Sequence, residues 1–93
     1  MAHILTQEEA FSALRISSMD ECPNLGLLMS AVDDGIKTET GKDWAADMTI
    51  DPTAKLAASL LLICLKEGTD LPKSYGYKIV QLEAKALEAA QSV

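Results

Sequence analysis

The stretch Asp51-Pro52-Thr53-Ala54-Lys55-Leu56-Ala57-Ala58-Ser59-Leu60-Leu61-Leu62-Ile63-Cys64-Leu65-Lys66-Glu67-Gly68 decides the fold class. Asp51 is suited to cap a helix start, and Pro52 to its first position, where a missing N–H is no loss. Gly68 supplies a left-handed stop. Between these signals the residues are apolar nearly all the way round, which predicts a helix surrounded by protein. The apolar run at 56–65 is ten residues long and contains Ser59, whereas a membrane span needs about 20.

In so small a domain the other three helices cannot easily cover every side of it, so part of this helix is expected to be buried against another subunit. Upstream, Thr6 and Glu9 form a capping box, with Glu8 and Glu9 at the positive end of the helix dipole. Ala10, Phe11 and Leu14 give this first helix a short stripe, with an end expected near residues 15–16. Ser17, Ser18, Met19, Asp20 and Glu21 read as a polar linker. A second helix is expected over about 23–40, with Pro23 in its first turn and Gly41 as its stop. Leu25, Leu28, Met29, Val32 and Ile36 fall on one face, and Ser30, Asp33, Asp34 and Lys37 on the other. Gly26 and Gly35 weaken that helix and suggest close packing there.

Trp44 sits in an otherwise polar connection. It either folds back over the end of the second helix or stands exposed as a partner contact. After Leu71-Pro72, residues 73–77 read as a loop, and a last helix is expected over about 78–90. Ile79, Leu82, Ala86 and Ala89 share one face of it, a thin stripe for a helix that either packs on its own domain or projects as a docking arm. No segment alternates as a half-buried strand does. The expected fold is therefore all-α: one domain over residues 1–93, a small bundle of about four helices with a very apolar third helix.

Composition narrows the function. The chain has 93 residues, with 14 acidic and 8 basic side chains and a net charge of −6. That balance excludes a general phosphate-backbone binder, which needs a surplus of Lys and Arg. Cys22 and Cys64 lie in no CxxC pair, and the single histidine, His3, is expected in a mobile terminus, so no zinc site with ordinary spacing can be assembled. A disulfide between the cysteines and two reduced thiols both fit. The N-terminus lacks the charged and apolar regions of a signal peptide, and a soluble, intracellular protein is expected.

Catalytic material is sparse. Glu8-Glu9 is explained by capping and Asp33-Asp34 by a solvated face, and adjacent helix positions diverge too far to share a pocket. Neither cysteine has a basic neighbour to activate it, and no phosphate-binding loop is present. The spacing from Asp43 to Asp51 does not match a calcium loop. No enzyme activity and no cofactor are expected. A helix-turn-helix DNA-binding regulator and a small acidic protein-interaction module remain as alternatives; none of the helices carries convincing base-reading side chains.

The order of signals resembles the head–tail connector (head-completion, or adaptor) proteins of long-tailed bacteriophages and prophages. The resembling pieces are Ile4-Leu5-Thr6-Gln7-Glu8-Glu9-Ala10, Leu14-Arg15-Ile16 and Met19-Asp20-Glu21. They continue with the second helix ending at Thr40-Gly41-Lys42-Asp43-Trp44 and with Asp51-Pro52 opening the apolar third helix. Together they span about residues 3–67, and the tail from Leu65-Lys66-Glu67-Gly68 onward departs from the family pattern. The resemblance implies a helical unit that joins other copies in a ring, matched to a dodecameric portal beneath a DNA-filled head. There it meets the portal protein and a stopper or tail-completion protein, at the virion head–tail junction, after assembly in the host cytoplasm. Neither membrane nor sequence-specific DNA binding is implied. On this reading Asp20, Glu21, Asp33 and Asp34 are candidates to face the channel. Trp44, Leu61, Leu65, Tyr75 and Tyr77 are candidates for partner or subunit contacts.

Overall fold

Several helix ends in the structure fall where local chemistry satisfies the orphan backbone groups of a helix terminus. In a computed structural model that describes residues 3–91, four α-helices follow in chain order: α1 (Gln7–Leu14), α2 (Leu25–Thr40), α3 (Pro52–Glu67) and α4 (Lys73–Gln91). No strand occurs among the described residues.

At the start of α1 the capping box is closed. Thr6 Oγ1 accepts from the Glu9 N–H at 3.1 Å, and Glu9 Oε1 accepts from the Thr6 N–H at 2.9 Å. Asp51 Oδ1 caps α3 by accepting from the Thr53 N–H at 2.7 Å. Gly41 and Gly68 end α2 and α3 with φ of 79° and 70°, a region glycine enters without steric cost. The end of α1 uses the same geometry with Arg15 at φ 57°, the Ile16 N–H reaching back to the Phe11 carbonyl.

α3 is the central element and packs against α1, α2 and α4. Small residues make this possible: Ala54, Ala57 and Ala58 are fully buried beside Leu62, so neighbouring helices approach its backbone closely. From α2, Leu25, Met29, Val32 and Ile36 join the core, with Leu28 half-buried. Lys55 ties α1 to α3 through Glu9 at 2.6 Å. The connection at residues 68–72 is short and folds α4 back along α3, where Lys85 reaches Asp51 at 3.0 Å and Thr53 at 3.4 Å.

Three expected boundaries need correction. Pro23 precedes α2 in a turn instead of opening it. The linker at residues 17–21 is an ordered turn, since Glu21 Oε2 accepts from the Ser17 and Ser18 N–H groups at 2.7 and 3.1 Å. Residues 73–77 are the first turns of α4, because Tyr75 is buried in the core and draws the helix start back toward Pro72. Consequently α4 packs along α2 and α3. At its far end Ala89 is exposed and does not extend the packed stripe of Ile79, Leu82 and Ala86. Nor does Gly26 mark close packing: a Cβ built there meets nothing within 4 Å, and one at Gly35 would make ordinary contact with Leu61.

Candidate functional site

α4 carries two apolar stripes. Tyr75, Ile79, Leu82 and Ala86 face the core. On the opposite side Tyr77, Val80, Ala84 and Leu87 recur at i, i+3, i+7 and i+10, one face of a helix. Tyr77 is 68% exposed, Val80 65% and Leu87 63%. Lys73 lies one turn before Tyr77 on this face, whereas half-buried Lys78 lies nearer the core-facing stripe.

A second apolar surface lies between α1 and α3. It is an open groove of about 730 Å³, with Leu5, Ala13, Leu56 and Ile63 among its lining residues. Glu8, Glu9, Ser12 and Lys55 border it. Leu56 is 55% exposed there. A smaller cleft of about 480 Å³ opens beside Met19, Leu25, Met29 and Ile50, with His3 and Asp47 among its lining residues.

The acidic candidates separate into two kinds. Asp33 is half-buried and holds the N-terminal segment: Oδ1 accepts from the Ile4 N–H at 3.0 Å, and Oδ2 lies 2.6 Å from His3 Nδ1. This corrects both the solvated-face reading of Asp33 and the mobile placement of His3. It also explains how Ile4 and Leu5 come to be buried. Glu21 is committed to the turn at residues 17–21, and the Ser17 N–H and hydroxyl hold its carboxyl below the usual carboxylate range. Asp20 and Asp34 are exposed, and Asp34 borders a shallow groove with Ser30, Lys37 and Asp43.

Among the proposed contact residues, Trp44 and Tyr75 are corrected to core residues. Trp44 is 3% exposed. Its indole N–H donates to Thr40 Oγ1 at 2.9 Å, and the Lys42 ammonium covers the ring at 4.5 Å. The ring thus folds back over the end of α2, the first of the two readings open for it. Tyr75 is 4% exposed, and its hydroxyl donates to Glu39 Oε1 at 3.3 Å. Burial, reinforced by the Glu39 carboxylate, pushes the phenol well above its ordinary range. Leu61 is half-buried against Gly35. Leu65 and Tyr77 are exposed. The Val80, Ala84 and Leu87 positions and the α1–α3 groove escaped sequence reasoning; the 3–4 spacing from Tyr77 was the signal for the first.

Both cysteines are free and buried. Among the described residues no group of three or more His, Cys, Asp or Glu side chains could hold a metal ion. No helix among them is long and apolar enough to cross a membrane. No protein family, curated protein or solved structure matches the chain.

Proposed function

We propose that this chain is a non-enzymatic virion component, a head–tail connector subunit that forms a ring under the portal and links the DNA-filled head to the stopper or tail. One observation carries the reading: a small acidic helical unit presents two separate apolar surfaces, one on α4 and one between α1 and α3. A subunit that must touch a neighbour on each side needs two such surfaces. The order of sequence signals over residues 3–67 points the same way.

The net charge of −6 suits a channel lining, since like charge keeps DNA from adhering. With Asp33 and Glu21 occupied by backbone N–H groups, Asp20 and Asp34 are the acids available for that role. The test is assembly with a portal ring in vitro, read by native mass measurement and electron microscopy. A ring stacked coaxially on the portal is the expected result, and absence of any portal-bound species overturns the reading. Charge reversal at Asp20 and Asp34 together is expected to leave the ring intact and slow DNA ejection. Unchanged ejection removes the channel role from these two residues.

A further inference from the structure

We propose that the outward stripe of α4 pairs with the same stripe on a second copy of this chain, the two helices running antiparallel about a twofold axis level with Leu82. The pairing is a property of the free chain; it goes beyond the ring reading above and does not rest on it.

Spacing points the stripe at another helix. Tyr77, Val80, Ala84 and Leu87 follow at intervals of three, four and three, with Lys73 four positions earlier. That is the alternation of a and d positions in a coiled-coil heptad, which keeps one seam facing a partner helix. Burial of Tyr75, Ile79 and Leu82, together with the Lys85–Asp51 pair, fixes α4 with this seam turned away from its own domain.

Symmetry, size and charge set the orientation. The seam reads the same in both directions from Leu82: Tyr77 and Leu87 each lie five positions away, Val80 and Ala84 each two. Antiparallel copies therefore set Tyr77 against the second copy's Leu87 and Val80 against its Ala84. Parallel copies would set Ala84 against Ala84 and leave a gap between the larger layers. Of the charges beside the seam, Lys73 opens α4, and Glu83 and Glu88 lie in its second half. An antiparallel neighbour brings the second copy's Glu88 within about one helical turn of Lys73, twice in each pair. A parallel one would join Lys73 to Lys73 and Glu83 to Glu88. A lysine in the first turn and a glutamate in the last also run against the helix dipole, an order that α4 alone does not favour and an antiparallel neighbour does. Glu83 is the opposing term, since both copies place it on one edge near the axis.

From Tyr77 to Leu87 the seam covers about 15 Å of helix, short for an interface that commonly hides about 800 Å² per partner. The pair is accordingly weak, with association expected in the high-micromolar range. Both copies use the same surface, so assembly through it stops at two.

Sedimentation equilibrium of the full chain, from micromolar to millimolar concentration, tests the pairing. The wild type is expected to move from monomer to dimer, and Val80→Glu with Leu87→Glu to stay monomeric. Lys73→Glu and Glu88→Lys are each expected to weaken pairing about threefold to tenfold, and together to restore it. The two positions are fifteen residues apart, about 22 Å along one helix, so restoration requires contact between copies. Both substitutions suit the helix dipole, and circular dichroism melts are expected to show α4 intact. Glu83→Gln is expected to tighten the pair. A wild-type monomer at every concentration overturns the proposal, as does dimerisation of the Val80→Glu, Leu87→Glu variant. Failure of the Lys73→Glu, Glu88→Lys double variant to recover overturns it too, because in a parallel pair those residues never meet. Dimers that form no portal-bound ring keep the pairing and sink the ring reading; portal-bound rings from a chain that is otherwise always monomeric do the reverse.

Discussion

Thr40 shows how much of this protein rests on single polar atoms. Its hydroxyl donates to the Ile36 carbonyl at 2.7 Å and accepts from the Trp44 indole at 2.9 Å. Removing that oxygen leaves a buried N–H with no partner, which costs about 1–3 kcal/mol. Thr40→Val preserves shape and β-branching, so its effect isolates the hydrogen bond. We expect destabilisation within that range in a urea titration, with an unchanged m-value and a red shift of tryptophan emission as the ring loosens. A Thr40→Val variant as stable as the wild type would mean that the indole finds another acceptor. At the same scale, Asp33 joins residues 29 and 30 positions away, a tie no local pattern announces.

At the scale of elements, α4 shows two effects in opposition. Gly76 lies in its first turns, where glycine costs about 1 kcal/mol relative to alanine. Burial of the Tyr75 ring offsets that cost, since an aromatic side chain contributes about 1.5–3 kcal/mol when removed from water. A Cβ at residue 76 would meet nothing within 4 Å, and its φ is not positive. Gly76→Ala should therefore raise stability by about 0.5–1 kcal/mol, or roughly 4–8 °C in Tm per kcal/mol for a chain of this size. A lower Tm would show that the start of α4 needs its flexibility. The same residues explain what the sequence concealed. Helix ends at Thr6, Gly41, Asp51 and Gly68 were legible because capping is local chemistry. The start of α4 was not, because Pro72, Ser74 and Gly76 read as loop while the deciding term was burial of Tyr75 against α2. Trp44 was ambiguous for a related reason: its partner, Thr40, is close in sequence, but the fold back over α2 is a tertiary event. The α4 stripe was readable from spacing and was hidden by attention to the core-facing one.

For the whole molecule, an acidic surface makes stability depend on pH in a direction that can be derived. Three carboxylates have folded pKa values below their ordinary ones. Glu9 is held down by the Lys55 ammonium and the Thr6 N–H, and Glu21 by the Ser17 N–H. Burial works against ionisation of Asp51, but the Lys85 ammonium and the Thr53 N–H outweigh it. A depressed folded pKa means that the unfolded chain binds more protons, so stability rises with pH across the interval between the two values. The contribution is complete above the ordinary values of 4.5 for Glu and 3.8 for Asp, and it is lost as pH falls through the lower folded values. Each of the three sits at a structural joint: Glu9 at the start of α1 and its bridge to α3, Glu21 at the turn before α2, Asp51 at the cap of α3 and its bridge to α4. Acid should therefore loosen the joints between helices before the helices themselves. Chemical denaturation from pH 7 to pH 2.5 is expected to show a plateau down to about pH 5 and a decline below it. Glu9→Gln should make that decline shallower, because one of the three protonation steps is removed. A stability profile flat through pH 3, or one that falls between pH 8 and pH 6, would contradict this assignment.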